Sequence, residues 1–381
     1  RQYGIDRITV SSVKMASYFA ANDWNDITIA FPFNILEIEE VNRLGKAGCR
    51  LTLFVTSIET IDFLSENLKV NDFVDLNSGT LKSNGHLVFK SSANKTAALS
   101  QVTPGAAITG CVQIERFIPQ GNRAFRYIGA DITTVNCNQP SIRDNIQEGY
   151  NVTDPNAYTG VSETPGYGTH VTGSTSGQNG FDATLTGNPS MFSWNAATQS
   201  WDAVPNTDTK GFNIGEAYAL LVRGGRELNL TVNNSQYGSE TRLRFTGELA
   251  VGDIPVNNLT ATNGDFSLVA NPYQAQVDMI QLLNDPNTSD VSSNFIYIYD
   301  PNIGTRGGYA TVDLSENGSP TPVESSANKF LQPNQAAFIE TIGENPSMIF
   351  KEAFKKATDQ SLTNQTFSIE DNSVITANLK R

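Results

Sequence analysis

The chain has 381 residues, 39% of them hydrophobic and 17% charged, with 39 acidic against 26 basic side chains and a formal net charge of −13. That apolar and aromatic content excludes intrinsic disorder, and the length leaves one large β domain with an appendage, or two domains. The acidic balance speaks against nucleic acid and against direct membrane insertion, since attraction to phosphates and anionic lipid rests on basic patches, and no run approaches the ~20 apolar residues of a membrane helix.

Abundant Asn, Thr, Ser and Gly favour short strands and tight turns over helices, so the expected fold is all-β. Residues 26–68 mix a strand-like run at 51–56 with apolar spacing over 35–46 that fits a short helix equally well. From 68 to 92, "LKVNDFVDLNSGTLKSNGHLVFKSS" punctuates short apolar runs with Asn and Gly, which tolerate positive φ. This predicts stacked solenoid-like rungs or a β-meander, and rungs so few must pack on the next domain.

Val112, Ile114, Arg116 and Ile118 share one face of a strand, and Arg123, Phe125 and Tyr127 one face of the next, with "PQGN" as the turn between them. A hairpin is expected, its arginines on the less buried face with their stems over aromatic rings. Residues 135–190, rich in Gly, Asn, Thr and Pro, read as long loops on a scaffold, where binding tends to reside. Strands resume at "SMFSW", "AYALLVRG", "ELNLTV", "TRLRFTGEL", "DFSLVANPY", "NFIYIYD", "GYATVDL", "AAFIET" and "SMIFKEA", the pattern of a β-sandwich or jelly roll. One short helix is expected near Gln276 to Leu283. The organisation read from this is a β-rich region over 1–105, with strand-turn repeats at 68–92, then a sandwich-like domain over 106–381 with long loops at 135–190.

Chemistry is sparse. No G-x-S-x-G, H-E-x-x-H, P-loop or strand-led G-x-G-x-x-G is present, so no enzymatic activity is expected. Cys49, Cys111 and Cys137 show no zinc-ligand spacing, and buried free thiols are expected ahead of a Cys111–Cys137 bridge. Ligand-binding candidates are Tyr158, Tyr167 and His170 on the glycine-rich loops, with Trp194 and Trp201 bracketing "NAATQS". Their rings can stack on sugar faces, although packing is the commoner role of Trp, and a lone His in such a loop is commonly a hydrogen-bonder. No cofactor is required on this reading. Structural calcium is the metal to weigh, because Asp285, Asn287 and Asp290, and Asp300 with Asn302, put hard oxygen donors in what are also ordinary turn sequences.

The succession "LNSGTLKSNGHLVFKSSANKTAALSQV", "GCVQIERFIPQGNRAFRYIGADITT", "AYALLVRGGRELNL", "FSLVANPYQAQVDM" and "YIYDPNIGTRGGYATVDL" resembles a module of large secreted Bacteroidetes proteins exported by the type IX secretion system. The resemblance runs from about Leu68 to Phe367, while residues 1–67 depart from it. It implies an extracellular or bacterial cell-surface location and a non-enzymatic structural or adhesive module, adhesin-like, within a longer polypeptide. The implied partners are an extracellular glycan, a surface or matrix protein, and other domains of that polypeptide. The alternative is a carbohydrate-binding accessory module of a polysaccharide-degrading enzyme.

Overall fold

The computed structural model describes residues 6–55, 69–71, 73–93, 95–156, 162–231 and 238–357. Strands dominate, and the fold is all-β in class. The start of the chain is the exception. Strands Ile8–Val10, Asp26–Pro32 and Arg50–Phe54 run parallel, joined by helices Val13–Ala20 and Ile38–Lys46. Parallel neighbours need a crossover connection, and the helices supply it. Ser12 caps the first helix by accepting from the Met15 amide at 3.2 Å. Val41 and Leu44 bury one face of the second against the cluster that holds Ile27, Ile29 and Leu51. The second helix resolves the ambiguity of residues 35–46, while the first, eight residues long, barely moves the composition of a chain rich in Asn and Thr, which is why a strand-dominated reading passes over it.

Beyond residue 68 the turn-rich segment forms rungs. Lys69–Val70 pairs in parallel with Val88–Phe89, Phe73–Val74 with Ala98–Leu99, and Thr80–Lys82 with Ala107–Thr109. Parallel pairing excludes the meander and extends the rungs to residue 109. Asn84 and Gly85, both at positive φ, turn the chain between them. Val88–Phe89 also pairs with Gln113 and Ile114, so the rungs add directly to a sheet that continues through Val112–Ile118, Thr241–Leu249 and Ile132–Thr133. Leu81, Phe89 and Leu99 of the rungs share one apolar cluster with Ile114, Leu220 and Phe245. The core is therefore continuous across residue 105, and the rungs gain from this neighbour the burial that a solenoid turn lacks alone.

The hairpin expected over 112–127 does not form. Val112–Ile118 pairs along its length with Thr241–Leu249, whereas Ala124–Gly129 pairs with Ala217–Val222 in a different sheet. The "PQGN" turn carries the chain from one sheet to the next. Two of its arginines are correspondingly not surface residues, Arg116 being 1% exposed and Arg126 3%, while Arg123 is half-buried. Both lie in sheets that have neighbours on either face, so alternation there separates two buried environments rather than core from solvent. Arg116 Nη1 donates to Thr96 Oγ1 at 3.1 Å, and burial holds its pKa down to about 9 although Asp131 pulls it upward.

Two further expectations change. Residues 227–231 of the expected strand "ELNLTV" are turn and irregular chain, because Arg226 swings inward to the buried carboxylate of Asp182. Near Gln276 the chain is a short strand to Asp278, which then caps the helix Met279–Leu283.

Cys111 and Cys137 form a disulfide with a Cα separation of 6.0 Å, which corrects the expectation of free thiols. The strands beginning at Val112 and ending at Thr133 flank the same strand, Thr241–Leu249, and this brings the two cysteines side by side. Cys49 stays free and buried. A bridge across 26 residues contributes ~3 kcal/mol by restricting the unfolded chain. Cys137→Ser should accordingly lower the denaturant midpoint, and dithiothreitol should do the same to the wild type; a midpoint indifferent to both would refute the bridge.

Candidate functional site

Two sheets, drawn from residues 124–321 and 336–340, face one another. One is built of Ala124–Gly129, Ala217–Val222, Met191–Asn195 and Ser200–Ala203, the other of Phe266–Ala270, Ala336–Glu340, Phe295–Asp300, Gly308–Asp313 and Ser319–Thr321. Alternation along these strands puts Phe125, Tyr127, Phe192, Trp194 and Trp201 on the inner face of the first. Phe266, Phe338, Tyr297 and Tyr299 face them from the second.

The sheet backbones come together most closely at one corner. A Cβ added to Gly129 would lie 2.7 Å from Ala270 Cβ and 2.9 Å from the Gln335 carbonyl, so glycine alone permits the approach. The Gly129 amide donates to the Asn334 carbonyl at 2.9 Å, and Asn334 Nδ2 donates to Asp131 Oδ1 at 2.7 Å. Away from this corner the gap is filled by rings. Tyr127 stacks on Tyr299 at 5.1 Å and meets Trp201 at 5.2 Å, while the cross-strand partners Trp194 and Trp201 meet edge to face at 5.1 Å.

The rings do not close the gap. Tyr127 and Phe338 are buried, most of the others are half-buried and Tyr309 is exposed. Two apolar pockets result, one of about 230 Å³ lined by Phe125, Tyr127, Phe192, Trp201 and Tyr299, the other of about 310 Å³ lined by Trp194, Gln199, Phe266, Tyr297, Tyr309 and Phe338. Most polar groups here are engaged internally: Trp194 Nε1 donates to the Phe266 carbonyl at 2.9 Å, Tyr299 to the Arg306 carbonyl at 3.0 Å, and the Tyr127 and Tyr309 hydroxyls pair at 2.5 Å. Among the described residues, Trp201 Nε1 and the Tyr297 hydroxyl make no hydrogen bond. Each pocket therefore offers aromatic walls and one free polar group. Burial raises the Tyr297 phenol above its ordinary value, so it stays a neutral donor.

Comparison of the chain with protein-family models, with curated proteins and with solved structures gives no match.

Of the residues singled out by sequence, the structure brings Trp194 and Trp201 together. Tyr158 lies outside the described residues. Tyr167 is elsewhere, its ring 3.9 Å beneath the guanidinium of Arg244, which is itself paired with Glu148 at 2.6 Å. His170 is buried, not a surface contact: Nδ1 is 3.1 Å from Asp182 Oδ2 and Nε2 is 3.0 Å from the Leu228 carbonyl. Asp182 also takes a bidentate pair from Arg226 at 2.7 and 3.0 Å and backbone donors from Val152 and Val171. This single carboxylate pins the glycine-rich loops to the scaffold. Burial alone would raise its pKa, but His170 and Arg226 outweigh burial and hold it down to about 2.

The calcium candidates are dispersed among turn contacts. Asp285 accepts from Lys351 Nζ at 2.7 and 2.8 Å, Asp290 accepts the Asn345 amide, and Asp300 accepts from Ser325 and the Asn302 amide. Among the described residues no three His, Cys, Asp or Glu side chains gather as a metal site.

Sequence reasoning missed Tyr127, Tyr297, Tyr299 and Phe338. Their signal is the period-two recurrence of rings at 125 and 127, 192 and 194, and 297 and 299, which shows that each strand has an aromatic face without showing which faces meet.

Two substitutions test this geometry. Gly129→Ala forces the corner apart and should cost ~1–3 kcal/mol, read as a lower melting midpoint; an unchanged midpoint would mean the sheets do not touch there. Asp182→Asn should cost ~3–5 kcal/mol at pH 7 by leaving Arg226 without its counter-charge. A depressed carboxyl stabilises above its unfolded pKa and loses that contribution as pH falls from about 4 to about 2. The gap between wild type and Asp182→Asn should therefore narrow over that window, and a gap constant with pH would contradict the assignment.

Proposed function

We propose that this chain is a non-enzymatic, extracellular adhesive module that takes its ligand, a glycan, in the aromatic wedge. The observation that carries the proposal is the pair of pockets walled by half-buried rings, each with one unengaged donor, Trp201 Nε1 and Tyr297 Oη. A sugar ring has a flat C–H face that stacks on an aromatic surface and hydroxyls at its edge that need partners, and the wedge presents both kinds of group.

The Cys111–Cys137 disulfide supports an oxidising, extracellular location. The resemblance to type IX-exported Bacteroidetes modules supports the bacterial cell surface. The same wedge would equally serve a carbohydrate-binding module attached to a polysaccharide-degrading enzyme, and the two readings differ in what neighbours the module, not in the site.

A glycan array followed by calorimetry tests the proposal. Wild type should bind at least one oligosaccharide, Trp201→Ala should weaken it about tenfold, a loss of ~1.4 kcal/mol, and Trp201→Phe, which keeps a ring but removes the donor, should fall between. Absence of binding across a broad array, or binding indifferent to Trp201→Ala, would sink the glycan reading. Release of reducing ends from any polysaccharide would overturn its non-enzymatic part.

A further inference from the structure

The strand pair that supplies Phe125 and Ala219 to the pocket of Phe125, Trp201 and Tyr299 ends in positive charge that the fold does not use. In a chain of net charge −13, other arginines stand against carboxylates: Arg143 on Asp208, Arg226 on Asp182, Arg244 on Glu148. Arg123 does not. It is half-buried and makes no hydrogen bond or ion pair among the described residues.

Register gives it a second cation. Ala124 pairs with Val222 and Phe125 with Leu221, so Arg123 and Arg223 leave that ladder opposite one another, in phase with the face that carries Phe125 and Tyr127. Arg223 Nη2 donates to Thr172 Oγ1 at 3.3 Å, but its Nη1 is buried with no partner. Burial first, and the charge of Arg123 second, hold the Arg223 pKa down to about 10; Asp182 pulls the other way but is already engaged by Arg226 and His170.

A third cation, Arg306, is joined through its backbone to a wall of the same pocket. Asn122 Nδ2 donates to the Pro301 and Gly304 carbonyls at 3.1 and 2.9 Å, tying this strand end to the loop 301–307. Arg306 of that loop is exposed, and its carbonyl accepts from Tyr299, one of the pocket walls.

Like charges at opposite positions of a strand pair repel, and a buried guanidinium donor without an acceptor is costly. An oxyanion placed between Arg123 and Arg223 removes both penalties, and the planar fork of a guanidinium suits carboxylate and sulfate alike. We propose that the wedge selects acidic glycans, a carboxylate or sulfate group held by Arg123 and Arg223 with Arg306 on the adjoining loop, while the sugar ring lies on Phe125, Trp201 and Tyr299. This rests on the glycan reading of the wedge and names its ligand class. Because the chain as a whole carries a net charge of −13, an anionic chain is attracted at these arginines against a background that repels it, which favours one orientation.

The test is calorimetric titration of the full chain with three oligosaccharides of equal length: a neutral galactan, a sulfated galactan and an oligogalacturonate. Wild type should bind one acidic ligand about tenfold or more tighter than the neutral one, and that preference should weaken between about 50 and about 500 mM NaCl. Arg123→Gln and Arg223→Gln should each erase most of the preference while leaving the neutral affinity within about twofold, and their melting curves verify folding. Preference for the uronate or for the sulfate identifies the anion. Equal affinity for neutral and acidic ligands, or a preference that survives both substitutions, overturns the inference and leaves the wedge reading standing; no binding to any of the three or to the array overturns both.

Discussion

At Gly129 a backbone amide reaches the carbonyl of Asn334, and no side chain stands between the two sheets. The contact is reinforced by Asn334 Nδ2, which binds both the Gly129 carbonyl and the buried carboxyl of Asp131. Burial raises Asp131 to about 7 although Asn334 and the Arg116 charge act to lower it. That carboxyl sits where three sheets converge, since residues 132 and 133 pair with the strand Thr241–Leu249 while Ile128 bridges to Gln335. The corner thus fixes the orientation of each sheet relative to the others.

Given that corner, the wedge follows from elementary geometry. Twisted sheets that approach most closely at one corner diverge away from it, and the gap must be filled by side chains of increasing size. Ala217, Ala270 and Ala336 lie beside Gly129, and Phe, Tyr and Trp take over away from it. Aromatic rings supply large contact area, yet being rigid they leave crevices between them. The pockets are the space that this packing leaves. A rigid aromatic lining with few free polar groups is well suited to gripping a flat-faced ligand without itself reorganising.

Much of this is legible in the sequence, unevenly. Asn84–Gly85 announces a rung turn correctly because positive φ is a local property of those residues. Trp194 and Trp201 can be recognised as neighbours because the loop between them is short. The partners of Val112–Ile118 and Ala124–Gly129 lie about a hundred residues downstream, and a local "PQGN" turn suggests a pairing that the distant strands Thr241–Leu249 and Ala217–Val222 outcompete. The disulfide is obscured for the same reason, since Cys111 and Cys137 meet only through a strand neither belongs to. His170 is legible as a hydrogen-bonding loop residue, but its burial is not, because its partners, Asp182 and Leu228, come from different segments.

The chain has only three tryptophans, and two of them, Trp194 and Trp201, stand 5.1 Å apart within the wedge. Indoles at that separation couple electronically, and their emission is sensitive to the polarity around Trp201, whose nitrogen is the unengaged one. The third, Trp24, lies in the separate helix-bearing cluster at the start of the chain. The intrinsic fluorescence and near-ultraviolet dichroism of the untouched protein are therefore weighted toward the cleft, which gives the molecule a built-in optical gauge of what enters it.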